Sequence, residues 1–211
     1  MKIDINTQSS IKITTDKVIY VDPYKIDNES HDADFILITH DHYDHLDVKS
    51  INNIKKDNTI LIFPNSIATN IFTLGFNMKN VRGVEPKEEY VIEGLSFKTS
   101  PSFNKDKPFH PQSKKYVGYI LNLEKVIFIA GDTDYIDDLK NIECDIALVP
   151  IGGTYTMDYQ EAADLINTIN PEIVYPTHYG SIVGDITLGN KFKELLNDNI
   201  ECILELEWFY E

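Results

Sequence analysis

A short polar segment beginning at Thr39 concentrates side chains that bind metal ions. It reads Thr-His-Asp-His-Tyr-Asp-His and directly follows an apolar run. In an extended chain residues two apart point the same way, so His40 and His42 can be directed at one metal ion. If the chain then turns into a helix at Asp44, Asp44 and His45 can face a second position beside it. Imidazole nitrogen and carboxylate oxygen are ligands that suit divalent zinc.

A histidine-rich loop that arose by chance is the alternative interpretation of this segment. The chain has six histidines, and three of them fall here, which favours metal ligands over chance. His31 lies in a polar run with no strand beside it. We expect His31 to be exposed to solvent and to bind no metal.

Two metal ions need more ligands than one segment supplies, and three residues later in the chain are candidates. Asp132 follows an apolar run in a Gly-Asp-Thr turn, and His178 lies just past a predicted strand. His110 lies in a loop ahead of the strand that begins at Tyr116. Taken alone, each would more often be a surface or hydrogen-bonded residue than a ligand. Loops at strand ends are nevertheless where open sheets assemble sites from distant sequence.

The elements that must position these residues follow from the apolar pattern. Strands are predicted at residues 3–5, 11–13, 18–21, 35–38, 60–63, 116–123, 126–130, 146–150, 173–175 and 202–209, with two or three more within 81–99. The first three are predicted to form a meander, and 116–123 with 126–130 a hairpin. A turn is predicted at Asp22-Pro23. Helices are predicted at 46–54, from a cap at Asn65 or Ser66 to Leu74 with Gly75 as its stop, at 158–169 with a capping box, and at 188–196. This order predicts an α/β fold of two packed sheets with helices outside, a four-layer αββα sandwich.

Length and charge narrow the class of protein. A chain of 211 residues favours one compact domain covering 1–211. The formal net charge of −15 repels phosphate backbones and anionic membranes, so we expect a small-molecule partner and neither nucleic acid nor membrane. A bound metal pair would reverse the local charge, so a small anionic substrate stays compatible. The amino terminus lacks an apolar core, which predicts a cytoplasmic protein. The two cysteines suit small buried hydrophobic positions.

Together these features resemble the metallo-β-lactamase-fold superfamily. The similarity rests on His-x-His-x-Asp-His at residues 40–45, the Gly-Asp-Thr turn at Asp132 and the strand-end histidine at His178. It covers residues 34–180 in the order and spacing of the family. The stretch 151–157 and the turn around His178 resemble the small stand-alone hydrolases of the lactonase-like branch.

The resemblance implies a ligand set for two metal ions. The first ion would be bound by His40, His42 and His110, the second by Asp44, His45 and His178, and Asp132 would bridge both. The family's third histidine usually lies in a His-Thr/Ser-x-Gly-His turn, whereas this chain has Phe-His-Pro at that point. His110 is assigned because it is the only histidine between the first motif and Asp132.

Such a site predicts a metal-dependent hydrolase. Two divalent ions about 3.5–4 Å apart can share a water molecule and lower its pKa towards about 7. The resulting hydroxide would attack a carbonyl carbon or a phosphorus atom, and Asp44 would take up and return the proton. We expect cleavage of an ester, lactone or phosphodiester bond in a small substrate. Zinc is the expected metal, with two ions per chain and with manganese or iron as alternatives.

Two other functions stay open from the sequence. One is a small nuclease or phosphodiesterase of the same superfamily, and the other is a non-catalytic metal-binding or interaction protein. The substrate and the oligomeric state also stay open, and a homo-oligomer is compatible with the chain. Tyr155, Asn104 and Tyr179 lie near predicted ligands, and each could contact substrate or serve packing. The glycines before Tyr155 could allow a close backbone approach.

Overall fold

The computed structural model describes residues 1–204, and their contacts divide into two units, residues 1–84 and residues 85–204. Each unit is built around one β-sheet. This division does not test the single-domain organisation expected for 1–211, which stays a prediction.

The first unit is a mixed sheet of six strands in sequential order. The first, second and third strands pair antiparallel, and the third to the sixth pair parallel, so the third strand takes part in both kinds of pairing. The strands are β1 Lys2–Ile5, β2 Ile11–Thr14, β3 Val18–Val21, β4 Ala33–Leu37, β5 Lys55–Pro64 and β6 Val81–Val84. In β2 buried isoleucines alternate with half-buried polar residues, whereas β4 is almost wholly buried and apolar. An antiparallel meander strand with one buried face and a parallel strand at the centre of a sheet have these patterns.

Helix α1 Val48–Ile54 lies in the sequence between β4 and β5, and helix α2 Ala68–Ile71 lies between β5 and β6. Helix α1 begins two residues later than predicted because Asp47 is its N-cap and accepts a hydrogen bond from the amide of Lys49. The continuous helix predicted up to Leu74 was wrong. Three short pieces replace it, namely the 3-10 turn Asn65–Ile67, helix α2 and the 3-10 turn Phe72–Leu74. The predicted stop at Gly75 is confirmed by its left-handed conformation.

The cap predicted at Asn65 or Ser66 was also wrong. The 3-10 turn begins after Pro64, which provides no side-chain hydrogen bond. The Asn65 side chain instead packs where Gly83 leaves room, because a Cβ atom on Gly83 would collide with it. A further 3-10 turn, Met78–Asn80, precedes β6.

The second unit is a mixed sheet of seven strands in the order β13-β12-β11-β10-β9-β8-β7. The strands are β7 Glu89–Ile92, β8 Leu95–Ser102, β9 Tyr116–Asn122, β10 Val126–Ile129, β11 Ile146–Pro150, β12 Ile173–Thr177 and β13 Glu201–Cys202. Strands β7 to β10 pair antiparallel, and β10 to β13 pair parallel. The hairpin predicted between residues 116–123 and 126–130 is therefore confirmed. Short 3-10 turns lie at Gln112–Lys114 and Asp137–Leu139.

Helices α3 Tyr159–Ile169 and α4 Leu188–Lys193 belong to this unit. The predicted capping box is confirmed, because Asp158 accepts hydrogen bonds from the first turn of α3 and Glu161 accepts one from the backbone of Asp158. Helix α4 ends three residues earlier than predicted. Of the closing strand predicted at 202–209, only β13 forms within the described residues, and residues 205–209 lie outside them.

In each sheet, parallel strands end at one edge. Strands β3 and β4 pair Val21 with Leu37, so the segments that follow both strands leave the sheet side by side. Strands β10, β11 and β12 likewise pair in parallel, so three connecting segments leave the second sheet at the same edge. The carboxyl ends of parallel strands are where such sheets carry their binding sites.

The two cysteines and the helix lengths bear on the remaining predictions. Cys202 is buried and Cys144 half-buried, and burial raises their pKa values to about 11 and about 12, so both thiols stay protonated at neutral pH. The prediction of a buried position is confirmed for Cys202, whereas Cys144 is only half-buried. Among residues 1–204 no helix is both long and apolar enough to cross a membrane. The cytoplasmic location stays a prediction.

Candidate metal centre

A buried carboxylate organises the ligand segment of the first unit. Asp22 follows β3, and its backbone amide donates to the carbonyl of Leu37 over 2.9 Å. Its carboxylate accepts hydrogen bonds from the amide of Thr39 (2.8 Å), the hydroxyl of Thr39 (2.6 Å) and Nδ1 of His45 (2.8 Å). One side chain thus holds both ends of the turn that carries the histidines.

Sequence reasoning gave Asp22 only a role in a turn. Its position could have identified it. Strands β3 and β4 are parallel neighbours, so Asp22, which follows β3, lies beside the residues Ile38 and Thr39 that follow β4. Burial raises the pKa of Asp22, while the charge and hydrogen bond of His45 act in the opposite direction. The ligand-type atoms of Asp22, His40 and His45 lie within 4.8 Å of one another. Because three hydrogen bonds already occupy the Asp22 carboxylate, it orients ligands rather than serving as one.

The hydrogen bonds determine which nitrogen of His40 carries the proton. The Thr39 hydroxyl donates to Asp22, so it accepts from Nδ1 of His40 at 2.9 Å. The proton is therefore assigned to Nδ1, which leaves the lone pair of His40 on Nε2. This Nε2 lies 3.1 Å from Nδ1 of His42. A shared cation satisfies such a pair, since two nitrogens bound to one tetrahedral zinc lie about 3.3 Å apart.

Asp44 and His45 face the same place, as expected. A turn closed by hydrogen bonds from the amides of His45 and Leu46 to the carbonyl of His42 brings them together. Nδ1 of His45 is bound to Asp22, and Nε2 lies 3.7 Å from a carboxylate oxygen of Asp44. The amide of Gln8 donates to the same Asp44 oxygen over 3.3 Å. Both Asp44 and His45 are buried.

In the second unit a carboxylate and two imidazoles converge. Asp132 is 2% exposed and lies in the turn after β10. Its Oδ2 atom is 3.2 Å from Nε2 of His178 and 3.5 Å from Nε2 of His110. The hydroxyl of Ser102, at the end of β8, donates to the carbonyl of Asp132 over 2.8 Å and fixes this turn. Three residues far apart in sequence thus meet at one oxygen atom.

His110 is held by Asn104. The backbone amide of His110 donates to Oδ1 of Asn104 (2.9 Å), and its Nδ1 lies 3.0 Å from that oxygen and 3.2 Å from the carbonyl of Tyr155. Both partners of Nδ1 are acceptors, so Nδ1 carries the proton and Nε2 is the nitrogen turned towards Asp132. The side-chain amide of Asn104 donates to the carbonyl of Tyr155 and to Asp134, which fixes its orientation.

Asp134 and Lys107 extend this network and were not identified from the sequence. Asp134 is 4% exposed and accepts hydrogen bonds from Asn104 (2.9 Å), the amide of Lys105 (2.9 Å) and the ammonium of Lys107 (2.7 Å). The Lys107 ammonium also donates to the carbonyl of Thr156 over 2.6 Å. Asp134 lies two residues after Asp132, and that proximity was the available signal.

The backbone at His178 is unusual. His178 has φ of 55°, in the left-handed region. A Cβ atom on Gly152 would collide with the carbonyl oxygen of His178. The glycine therefore permits the close backbone approach that the sequence suggested. It lets the turn that contains Tyr155 pack directly on the segment that carries His178.

The remaining residues of interest have separate roles. Asn104 positions His110, and Tyr155 supplies a carbonyl to the same histidine. Tyr179 is buried beside α4, and burial raises its pKa to about 12, so it serves packing. His31 is exposed, as expected, and its Nδ1 lies 2.8 Å from the carbonyl of Lys55.

The chemistry of both sets fits a divalent transition metal. His40, His45 and His110 each have Nδ1 fixed by an oxygen atom, so Nε2 is the nitrogen that could bind a metal ion. Imidazoles that bind metals are oriented by such partners, because the second hydrogen bond fixes the tautomer and the ring. The structure places every predicted ligand in one of two sets, His40, His42, Asp44 and His45 in the first unit and His110, Asp132 and His178 in the second.

Comparisons with known proteins agree with this interpretation. The profile of the family described as "Beta-lactamase superfamily domain" matches residues 2–178. A UPF0173 protein of Pyrococcus abyssi is 33% identical over 82% of this chain and 80% of its own length. A UPF0173 metal-dependent hydrolase of a Geobacillus strain is 29% identical over 97% of both chains.

A solved structure is similar over most of the chain. The structure of a candidate metal-dependent hydrolase from Parabacteroides distasonis has a TM-score of 0.80 and 29% identity, and covers 95% of this chain and 90% of that one. With the two mixed sheets and their flanking helices, this similarity confirms the predicted metallo-β-lactamase fold.

Proposed function

This chain belongs to the β-lactamase superfamily domain family and to the UPF0173 metal-dependent hydrolases, and we propose that it cleaves an ester, lactone or phosphodiester bond in a small substrate at a dinuclear site. The observation that carries the proposal is the pattern of fixed imidazoles in both units, where Nδ1 is bound to oxygen and Nε2 is the ligating nitrogen. The two-ion count, zinc as the metal and the lactonase-like branch are parts of the proposal.

The proposed ligand assignment follows the family resemblance. One ion would be held by His40, His42 and His110, the other by Asp44, His45 and His178, and Asp132 would serve both. The convergence of two imidazoles on one oxygen of Asp132 supports a shared carboxylate. A set of histidines and aspartates without cysteine is typical of catalytic rather than closed structural sites.

The metal ions and the protein side chains would contribute differently to the reaction. When bound, a divalent cation lowers the pKa of coordinated water to about 7 and polarises the substrate's carbonyl or phosphoryl oxygen. Asp44 takes up and returns the proton, and the hydrogen bond that its buried carboxylate accepts from Gln8 over 3.3 Å orients it. Asp22 and Asn104 hold the imidazoles of His45 and His110 in the tautomer that ligation requires. Preorganised groups of this kind need no reorganisation during reaction.

The proposed partner is a small molecule. The formal net charge of −15 opposes a polyanionic partner at long range, so neither nucleic acid nor an anionic membrane is proposed. This distinguishes the small-molecule hydrolase from the nuclease alternative. The non-catalytic alternative differs from it only in turnover.

The proposal is tested by metal counting and a substrate panel. Metal-free protein is reconstituted with zinc, manganese or iron, the bound metal is counted by mass spectrometry, and turnover of lactones, carboxylic esters, phosphodiesters and RNA is measured. We expect two ions per chain and turnover of a small ester, lactone or phosphodiester that disappears with chelator and returns with metal. Two bound ions without turnover of any substrate would establish the non-catalytic alternative, and cleavage of RNA alone would establish the nuclease.

A further inference from the structure

Two aromatic residues are linked to the predicted ligand His110, one by sequence and one by a main-chain contact. Phe109 directly precedes it and is 40% exposed. The ring of Phe109 packs edge to face on the half-exposed ring of Tyr155, with centroids 4.6 Å apart and an interplanar angle of 86°. Single exposed apolar residues are ordinary on protein surfaces. Two aromatic rings that pack on each other next to a predicted metal ligand are a stronger indication of a binding surface than one exposed apolar residue.

The backbone beneath this aromatic pair is held from two sides. The carbonyl of Tyr155 lies 3.2 Å from Nδ1 of His110 and accepts a hydrogen bond from Asn104 at 2.9 Å. The turn before it packs on the backbone of His178 because Gly152 has no Cβ atom. The rings are therefore fixed relative to the ligands of this unit, as a surface that selects substrates must be.

Two charged residues of this network, Lys107 and Asp134, neutralise each other. The ammonium of Lys107 binds Asp134 at 2.7 Å and the carbonyl of Thr156 at 2.6 Å. Asp134 accepts two further hydrogen bonds. Because Lys107 and Asp134 bind each other and the loop, their charges are not offered to a substrate, and the exposed group directly before His110 is the aromatic ring of Phe109. A neutral apolar group suits it better than an anionic one.

The ligand segment of the first unit has a similar feature when considered by itself. Tyr43 lies between His42 and Asp44 and is 65% exposed. Its ring packs edge to face on Tyr24, with centroids 6.1 Å apart. Each ligand set thus carries an exposed aromatic side chain directly beside a ligand in sequence.

We propose that Phe109 and Tyr155 form an apolar wall of the substrate site, and that the substrate is a neutral ester or lactone with an aryl or alkyl group next to the bond that is cleaved. This inference rests on the proposed hydrolase function and specifies its substrate class. Edge-to-face contact with a planar group supplies binding energy beyond the burial of area.

The first test compares two lactones that differ only in an apolar substituent. The zinc-loaded protein is assayed with γ-butyrolactone and γ-phenyl-γ-butyrolactone. We expect kcat/KM to be about tenfold higher for the phenyl lactone. The Phe109→Ala variant should lose most of this preference, and Phe109→Leu should retain part of it. Phe72→Ala is the matched control, because Phe72 is 58% exposed and lies outside both ligand segments.

Metal content decides whether Phe109→Ala acts through His110. We expect both variants at Phe109 to bind as much zinc as the unmodified protein. A loss of preference with full zinc content supports the wall. Equal kcat/KM for the two lactones in the unmodified protein overturns it, as does a preference that survives in Phe109→Ala.

The second test does not depend on turnover. Binding of acetate and phenylacetate to the zinc-loaded protein is measured by calorimetry, since both carboxylates can reach a metal ion and only one has a ring. We expect phenylacetate to bind about tenfold more tightly, and Phe109→Ala to reduce this ratio towards one. If the ratio is near one in the unmodified protein, the wall is excluded. If phenylacetate is preferred but no substrate is ever cleaved, the hydrolase proposal fails while the apolar wall stands.

Discussion

The two ligand sets are held in different ways. In the first unit four predicted ligands occupy one continuous segment, and a single buried residue, Asp22, fixes the turn through Thr39 and His45. In the second unit three predicted ligands come from separate loops, and hydrogen bonds from Lys107 through Asp134 and Asn104 fix one of them, His110. One set depends on one carboxylate, whereas the other distributes the same task over several groups.

This difference predicts different tolerance to change. A single substitution at Asp22 leaves several buried donors without an acceptor at once. A single substitution in the other network leaves alternatives, because Nδ1 of His110 lies near both Asn104 and the carbonyl of Tyr155. A single substitution should therefore greatly weaken metal binding by the first set, and weaken it only partly in the second set.

The largest effect is expected for Asp132→Ala, which removes the residue shared by both proposed ions. We expect the loss of much of the metal and a fall in kcat/KM of about a thousandfold, because the oxygen that His110 and His178 face is gone. Metal content by mass spectrometry and steady-state kinetics are the measurements. Asp164→Ala, an exposed aspartate of α3, is the control. Full metal occupancy in Asp132→Ala would contradict the bridging role.

A large effect is also expected for Asp22→Ala. Three hydrogen-bond donors lose their acceptor in a buried place, so the free energy of unfolding should fall by about 3 kcal/mol. Metal affinity should fall by about 10-fold to 100-fold, as for other residues that orient ligands. Urea denaturation and competition with a chelator measure the two effects. Unchanged metal affinity would mean that Asp22 serves folding alone.

A smaller effect is expected for Asn104→Ala. His110 loses one of the two acceptors near Nδ1 and keeps the carbonyl of Tyr155. We expect metal affinity to fall by about tenfold at one of the two sites, with the other unchanged. Chelator competition resolves the two sites, and Asn122→Ala, at an exposed position of β9, is the control. An equal loss at both sites would remove the distinction between the two sets.

A still smaller effect is expected for Lys107→Met. Asp134 loses its charged partner but keeps its hydrogen bonds from Asn104 and the amide of Lys105. The free energy of unfolding should fall by about 1 kcal/mol, with less than a threefold change in metal affinity. Thermal or urea denaturation beside Lys140→Met, which breaks an exposed pair with Asp137, measures the difference. A loss as large as that of Asp22→Ala would show that the second network is not distributed.

No effect on metal content is expected for His31→Ala. His31 is exposed and hydrogen-bonds a backbone carbonyl, so it takes no part in either ligand set. Metal analysis of the variant is the measurement. A clear loss of metal would mean that a ligand has been misassigned.

The sequence predicted local structure best where periodicity is strong. The early meander strands, the β9–β10 hairpin and the capping box of α3 were all identified, because each depends on residues close in sequence. The helix predicted from Asn65 or Ser66 was wrong, because Asn65 is engaged beside Gly83 of the next strand. That contact depends on strand pairing, which local patterns do not contain.

The same distinction applies to the candidate site. The predicted ligands in residues 40–45 are contiguous and could be proposed directly from the sequence, whereas Asp22, Lys107 and Asp134 were missed as orienting groups. Their roles arise from segments that parallel strands bring to one edge. The assignment of His110 by elimination agrees with its burial and its position near Asp132, and its role as a ligand stays a prediction.

Residue 155 contributes a main-chain oxygen to His110 and a ring to the proposed substrate wall. Every amino acid supplies that oxygen, so an exchange of the side chain changes the ring and leaves the acceptor in place. Substrate selectivity and metal affinity can therefore change independently at this one position. We expect homologous enzymes that differ at this position to diverge in what they cleave before they diverge in how tightly they retain their ions.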